Sequence, residues 1–225
     1  MFLTIVMTKM RKKKKFDLVL FDIDGTLLDT TDYLFKTFAD TLKNHKLPPV
    51  PDEELRTHMG KYAKDIYRNI TPGFNNELLF QTHVGNLIKN AHLAVPFAKT
   101  KEVLETLQRA GIHIAANTNR VSKASKKTLV VGEISHLISL VIGPEDVTRF
   151  KPHPEGIEKA MSYFKTSAVK TIMVGDSSND IEAGKNAGVA TIGVTYGFHG
   201  QKIADTHPDF LIDEISEILP IILGE

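Results

Sequence analysis

Short, mainly apolar segments recur along this chain, and polar residues follow several of them. We interpret these segments as buried strands, which lie at residues 18–21, 112–116, 138–142, 172–174 and 190–194. Helical patterns separate the strands, and examples lie at residues 99–110, 157–164 and 179–187. Strands that alternate with helices predict an α/β fold in which helices cover both faces of a parallel sheet.

One stretch of the chain, residues 31–93, interrupts this alternation. It contains helical patterns and no strand pattern, and the alternation resumes beyond Pro96. The helical patterns lie at residues 33–44, 52–58 and 76–91. We therefore expect a small helical domain inserted into an α/β core that comprises residues 16–30 and 94–225.

The composition excludes several classes of protein. The 28 basic and 27 acidic residues nearly cancel, so we expect neither nucleic acid nor a membrane as a partner. The absence of Cys excludes a disulfide framework, a thiolate zinc site and a cysteine nucleophile, and it is compatible with the cytoplasmic location that we expect. No apolar run approaches the roughly 18 residues of a membrane-spanning helix.

The basic residues are concentrated at the N-terminus. Residues 1–15 contain six of the 28 basic residues and no acidic one. We interpret this segment as a flexible, solvated tail, and an anchor for an anionic surface is the alternative.

Polar side chains close the predicted strands, at the edge where an open parallel sheet collects its ligands. They are Asp22 and Asp24 after the first strand, Thr118 and Asn119 after the second, and Asp176 and Asp180 after the fourth, with Lys151 before the fourth. Carboxylates in one crevice repel each other by about 4 kcal/mol per pair at 4 Å in an effective dielectric near 20. A bound cation would relieve this repulsion, and oxygen ligands favour Mg²⁺ over Zn²⁺. Together with Mg²⁺ and a lysine, a free carboxylate could accept a phosphoryl group.

Four motifs along the chain resemble those of the haloacid dehalogenase superfamily, in its Mg²⁺-dependent phosphatase branch with a helical cap. They are DIDGT at 22–26, NTN at 117–119, KPHP at 151–154 and GDSSND at 175–180. The resemblance covers residues 17 to about 200, and it implies a Rossmann-like core with the cap inserted after the first motif.

The resemblance implies a role in phosphoryl transfer for five residues. Asp22 would be the nucleophile, and Asp24 would be first the general acid and then the general base. Thr118 would hydrogen-bond the phosphoryl group with the Asn119 backbone nearby, and Lys151 would neutralise its negative charge.

The same resemblance implies the ligands of a magnesium ion. Asp22 and Asp176 would bind Mg²⁺ through their carboxylates, and Asp24 would bind it through its backbone carbonyl. Asp180 would act at or near the metal, either through water or by orienting Lys151.

Substrate choice is expected to depend on the helical insertion. Residues 58–62 (HMGKY) resemble the family's glycine-containing specificity loop, and we hypothesise that Lys61 and Arg68 contact an anionic leaving group. We expect the substrate to be a small phosphorylated metabolite, a phosphomonoester similar to phosphoglycolate. An inorganic pyrophosphatase and a sugar phosphomutase of the same superfamily are the alternatives. A non-catalytic phospho-ligand binding protein and a receiver-like module are more remote alternatives, and the sequence leaves open whether the chain is a monomer or a dimer.

Overall fold

The computed structural model describes residues 14–224. The predicted basic tail, residues 1–15, therefore lies outside the described residues except for Lys14 and Lys15. The backbone N–H of Lys15 donates to the carbonyl of Ile222 at 3.0 Å. The described chain thus begins beside its own C-terminal segment.

A six-stranded parallel sheet forms the centre of the described chain, in the order β5-β4-β1-β6-β7-β8. The strands are β1 (Leu18–Phe21), β2 (Leu28–Asp29), β3 (Val95–Pro96), β4 (His113–Asn117), β5 (Leu140–Ile142), β6 (Thr171–Gly175), β7 (Ala190–Val194) and β8 (Phe210–Ile212). In the centre of the sheet, Leu20 of β1 is in register with Ala115 on one side and Met173 on the other. The parallel sheet predicted from the sequence is confirmed.

The central strand β1 shows why its sequence is apolar at every position. Val19 and Phe21 belong to one hydrophobic core, whereas Leu18 and Leu20 belong to a second core on the opposite face. All four side chains are fully buried. Because side chains alternate along a strand, a sheet covered on both faces requires this continuous apolar run.

Helices cover both faces of the sheet, as predicted. The helices in residues 14–224 are α1 (Thr31–Asn44), α2 (Asp52–Arg56), α3 (Ala63–Ile70), α4 (Asn76–Asn90), α5 (Thr100–Arg109), α6 (Ser122–Val131), α7 (Glu155–Phe164), α8 (Ser178–Asn186) and α9 (Ile218–Leu223). Helices α7 and α8 pack on the face of Leu18, whereas α5, α6 and α9 pack on the face of Val19.

Helices α1 to α4 lie in residues 31–93, which we call the helical insertion. Helix α4 packs along α1 and α3. The short strands β2 and β3, on either side of the insertion, pair antiparallel and bring its two connections together. Among the described residues, no helix has the length and apolar character needed to cross a bilayer.

Candidate active site

Three buried carboxylates meet at the carboxyl ends of two neighbouring strands. Asp22 follows β1, while Asp176 follows β6 and Asp180 lies in the first turn of α8. Each offers an oxygen within 4.8 Å of the others, and we call these three residues the acidic cluster. The structure therefore brings together the carboxylates that the sequence placed at separate strand ends.

Lys151 lies inside the acidic cluster and uses all three of its N–H donors. Its Nζ lies 2.9 Å from Asp22 Oδ1, 2.6 Å from Asp180 Oδ1 and 2.7 Å from the carbonyl oxygen of Asn117. Burial opposes the charge on Lys151, but the two carboxylates raise the pKa of the ammonium above its usual range. Lys151 is therefore a fixed positive charge beside one oxygen of Asp22.

The acidic cluster is short of positive charge. Burial raises the pKa of Asp22 to about 7 although Lys151 opposes the shift. Burial, with Asp180 and Asp22, also raises the pKa of Asp176 well above its ordinary value. The buried carboxyl, guanidinium and ammonium groups of the site belong to Asp22, Asp24, Asp176, Asp180, Arg120 and Lys151. With the carboxylates ionised, this set carries two more negative than positive charges, which one divalent cation would balance.

Asp180 is bound through both of its oxygens. Oδ1 accepts from Lys151, and Oδ2 accepts from the backbone N–H of Ser177 at 3.0 Å and from its hydroxyl at 2.6 Å. These bonds to Ser177 cap the N-terminus of α8. Asp180 therefore both starts the helix and orients Lys151.

Asp176 is packed against the backbone around it. Its Oδ2 accepts from the N–H of Phe198 at 2.7 Å. A Cβ atom on Gly25 would lie 2.4 Å from the same oxygen, and Gly25 has a φ of +77°. Glycine at position 25 of the first motif therefore allows the Asp176 carboxylate to lie directly against the backbone of this turn.

Asp24 forms an ion pair with a residue that sequence reasoning missed. Nε of Arg120 lies 2.9 Å from Asp24 Oδ2. Arg120 follows directly after the second motif, and its charge at a strand end was the signal that could have identified it. Both side chains are buried.

Thr118 and Asn119 lie where β4 ends, as expected. Thr118 is buried, and its hydroxyl accepts from the backbone N–H of Arg120 at 3.2 Å. The side-chain amide of Asn119 donates to the carbonyl of Gly60 at 2.9 Å and to the carbonyl of Lys151 at 3.1 Å. Asn119 thus connects the helical insertion to the loop that carries Lys151.

A cleft lies between the strand ends and the helical insertion, with Asp22, Asp24 and Thr118 along one side. It encloses about 50 Å³. Apolar side chains of the insertion form much of its wall: Leu34, Phe38, Met59, Ile66, Phe80 and Leu87. Of the two predicted specificity residues, Lys61 lines the cleft, whereas Arg68 is not among the described residues that do. Arg68 pairs instead with Asp65, at 2.6 Å on the exposed surface of α3.

The family model for haloacid dehalogenase-like hydrolases matches residues 19–194. This chain belongs to that family. The matched span contains all four motifs, the helical insertion and most of the sheet.

This hydrolase is similar to known proteins over nearly its full length, which agrees with the family assignment. It is 30% identical to pyrophosphatase PpaX of Anoxybacillus flavithermus, over 91% of this chain and 95% of the relative. It is similar to a solved structure from Haemophilus somnus described as a predicted phosphoglycolate phosphatase, with 27% identity and a TM-score of 0.83. That alignment covers 92% of this hydrolase and 98% of the solved chain. A haloacid dehalogenase-like hydrolase of Bacteroides fragilis has 25% identity and a TM-score of 0.84, over 91% of this chain and 100% of the other.

Proposed function

We propose that this hydrolase is a Mg²⁺-dependent phosphatase that cleaves a small phosphomonoester through an aspartyl phosphate on Asp22. The observation that carries the proposal is the contact between Lys151 and Asp22 inside the acidic cluster. One oxygen of Asp22 is fixed by the ammonium, and the carboxylate also lines the cleft. A fixed carboxylate beside a buried cation is suited to attack an anionic phosphoryl group.

The proposed reaction has two steps. Asp22 attacks phosphorus, the bond from phosphorus to the leaving oxygen breaks, and Asp24 donates its proton to that oxygen. Asp24 then removes a proton from the water molecule that attacks phospho-Asp22, which releases phosphate and restores both carboxyl groups. Lys151 and the hydroxyl of Thr118 stabilise the charge on the phosphoryl oxygens in both steps, with the backbone of Asn119 beside them.

Asp22, Asp176 and the backbone carbonyl of Asp24 would hold Mg²⁺. The charge deficit of the site and its oxygen ligands fit this ion. The chemistry that Mg²⁺ would supply there is electrostatic: it would reduce the repulsion between the attacking carboxylate and the phosphate. Asp180 would act beside the metal by orienting Lys151, because both of its oxygens already accept hydrogen bonds.

The domain assignment is part of the proposal. Residues 31–93 would be a cap that closes over the leaving group, while residues 16–30 and 94–225 form the catalytic core and residues 1–15 remain a basic tail. The hydrogen bond from Asn119 to the carbonyl of Gly60 supports a cap in contact with the core.

The size of the cleft supports a small leaving group. Its volume of about 50 Å³ is only a few times the roughly 10–15 Å³ that one water molecule requires, which favours a small ligand. Phosphoglycolate belongs to this class of ligand, and Lys61 would contact its carboxylate. Inorganic pyrophosphate is the second candidate, because the curated relatives are named pyrophosphatase PpaX.

Phosphate release from a panel of small phosphomonoesters and pyrophosphate, with Mg²⁺ and then with EDTA, tests the proposal. We expect Mg²⁺-dependent turnover that is lost in Asp22→Asn, because an amide is a poor nucleophile and has nearly the same shape. Preference for pyrophosphate would select the second candidate. Turnover that survives EDTA or the Asp22→Asn substitution would contradict the mechanism.

A further inference from the structure

The two oxygens of Asp24 have different surroundings. Oδ2 lies 2.9 Å from Nε of Arg120, in an ion pair whose N–H is not aligned as a hydrogen bond. Oδ1 is buried and has no hydrogen-bond partner among the described residues. A buried carboxylate oxygen without a hydrogen-bond partner costs free energy. We therefore expect a hydrogen-bond donor or a proton at Oδ1 during the reaction.

Arg120 is fixed at two further points. Its Nη1 donates to the hydroxyl of Tyr33 at 2.9 Å, and its Nη2 donates to the hydroxyl of Thr128 at 2.9 Å. The guanidinium also lies over the ring of Tyr33, 5.0 Å from its centroid. Tyr33 belongs to α1 and Thr128 to α6, so the planar guanidinium is held between the insertion and the core.

We propose that Arg120 is a positioning residue for proton transfer. It fixes the Oδ2 edge of Asp24, so that Oδ1 faces the leaving-group oxygen in the cleft. Arg120 and Asp24 both line this cleft, which places the pair beside the bound substrate. The inference rests on the proposed phosphatase reaction, and it assigns Arg120 no contact with the transferred phosphoryl group.

This role can be separated from a structural one by the choice of leaving group. The leaving group of ethyl phosphate must depart as ethanol, so its departure depends on the proton from Asp24. Acetyl phosphate has a leaving group of similar size, but acetate departs as a stable carboxylate and needs no proton. The ratio of kcat/KM for the two substrates reports the first phosphoryl transfer, because kcat/KM does not include the later hydrolysis of phospho-Asp22.

The experiment compares the Mg²⁺-loaded wild type with Arg120→Lys and Tyr33→Phe. Arg120→Lys keeps the positive charge but loses the planar guanidinium with its several N–H donors. Tyr33→Phe removes only the hydroxyl that accepts from Arg120. We expect kcat/KM for ethyl phosphate to fall by about 10- to 100-fold in Arg120→Lys, which is part of the roughly 100- to 10,000-fold contribution of a positioned general acid. For acetyl phosphate it should change by less than about threefold. Tyr33→Phe should show the same selectivity with a smaller loss.

Thr41→Val is the matched control. It removes a buried hydroxyl of the helical insertion that accepts from Asn86 rather than from Arg120. The control should leave the ratio of the two substrates unchanged, even if it lowers the melting temperature.

Each outcome decides between the alternatives. Equal losses for both substrates in Arg120→Lys and Tyr33→Phe would show a structural role and overturn the inference, while the proposed function would survive. If Arg120→Lys does not fold, the ratio in Tyr33→Phe decides alone. A wild type that hydrolyses neither these two substrates nor any compound of the panel above would overturn the proposed function and this inference with it.

Discussion

The side-chain amide of Asn179 donates to the carbonyl oxygen of Gly60 at 3.0 Å. Asn119 donates to the same oxygen, so two amides of the core bind one carbonyl of the helical insertion. Gly60 has a φ of +84°, and a Cβ atom there would lie 2.8 Å from Cβ of Ser177. This turn can therefore approach the start of α8 only because it carries glycine.

Gly60→Ala should lower activity by separating the helical insertion from the core. The methyl group would clash with Ser177, and the positive φ would add about 1–2 kcal/mol of strain. We expect kcat/KM to fall at least about tenfold, which corresponds to 1.4 kcal/mol. Steady-state kinetics and a melting temperature for each variant provide the measurement.

Gly73→Ala is the control for backbone strain alone. Gly73 also has a φ of +84°, but a Cβ atom there would have no described atom within 4 Å. This variant should lose stability by the roughly 1–2 kcal/mol of backbone strain, without the further cost of a clash, and keep its kcat/KM. Equal kinetic losses in the two variants would show that the contact with Ser177 has no functional importance.

Lys61→Ala should weaken the binding of substrates with an anionic leaving group. Lys61 lines the cleft, and a charged hydrogen bond contributes about 1.5–3 kcal/mol. We expect KM for phosphoglycolate to rise about tenfold or more, with a smaller effect on ethyl phosphate. Arg68→Ala is the matched control, because Arg68 pairs with Asp65 at the surface. An unchanged KM for every substrate of Lys61→Ala would exclude a role for this lysine in recognition.

Mg²⁺ should stabilise the fold through Asp176 in a way that can be measured without turnover. Mg²⁺ at a hundred times its dissociation constant adds about 2.7 kcal/mol, or roughly 5–10 °C for a domain of this size. Asp176→Asn should abolish most of this shift, because it removes one of the ligands. NaCl at equal ionic strength controls for screening. An equal Mg²⁺-dependent shift in Asp176→Asn would place the ion elsewhere.

Polar residues of the site could be predicted from the sequence where they stand next to an apolar strand in the chain. Asp22 and Asp176 each follow an apolar run directly, and parallel strands place their carboxyl ends at one edge. Strand β8 (Phe210–Ile212) is also a short apolar run, but it was not predicted; it lies at the edge of the sheet, where Leu211 is 44% exposed. Helices α3, α6 and α9 and the two-residue strands β2 and β3 were also missed.

The environment of Arg120 could not be predicted in the same way. A single arginine after a motif has the same appearance in the sequence whether it is solvated or buried. Its guanidinium is held by Tyr33 of α1 and Thr128 of α6, which are far from each other in the sequence and meet the guanidinium only in the folded chain. Arg68 shows the opposite case, since its sequence position suggested the cleft and the orientation of α3 places it at the surface.

His83 should make the stability of the protein sensitive to acid. Its ring is fully buried 4.7 Å from that of Phe38, and Nδ1 lies 2.8 Å from the hydroxyl of Tyr67. Burial, with a contribution from Arg120, lowers the pKa of His83 from 6.5 to about 3. Between these values the unfolded chain binds a proton that the folded chain does not. The free energy of unfolding therefore falls as the pH drops below 6.5, by up to about 1.4 kcal/mol per pH unit for this one group.

His83→Gln should reduce this dependence, because glutamine does not titrate and still offers an acceptor to Tyr67. Urea unfolding at several pH values between 7 and 4 measures the slope for each variant. His92→Gln is the control, since His92 is exposed and its substitution should leave the slope unchanged. The acid sensitivity would have to be assigned to other groups if wild type and His83→Gln lost stability in parallel. A flatter curve in His83→Gln alone would show that the helical insertion carries a neutral histidine beside the cleft.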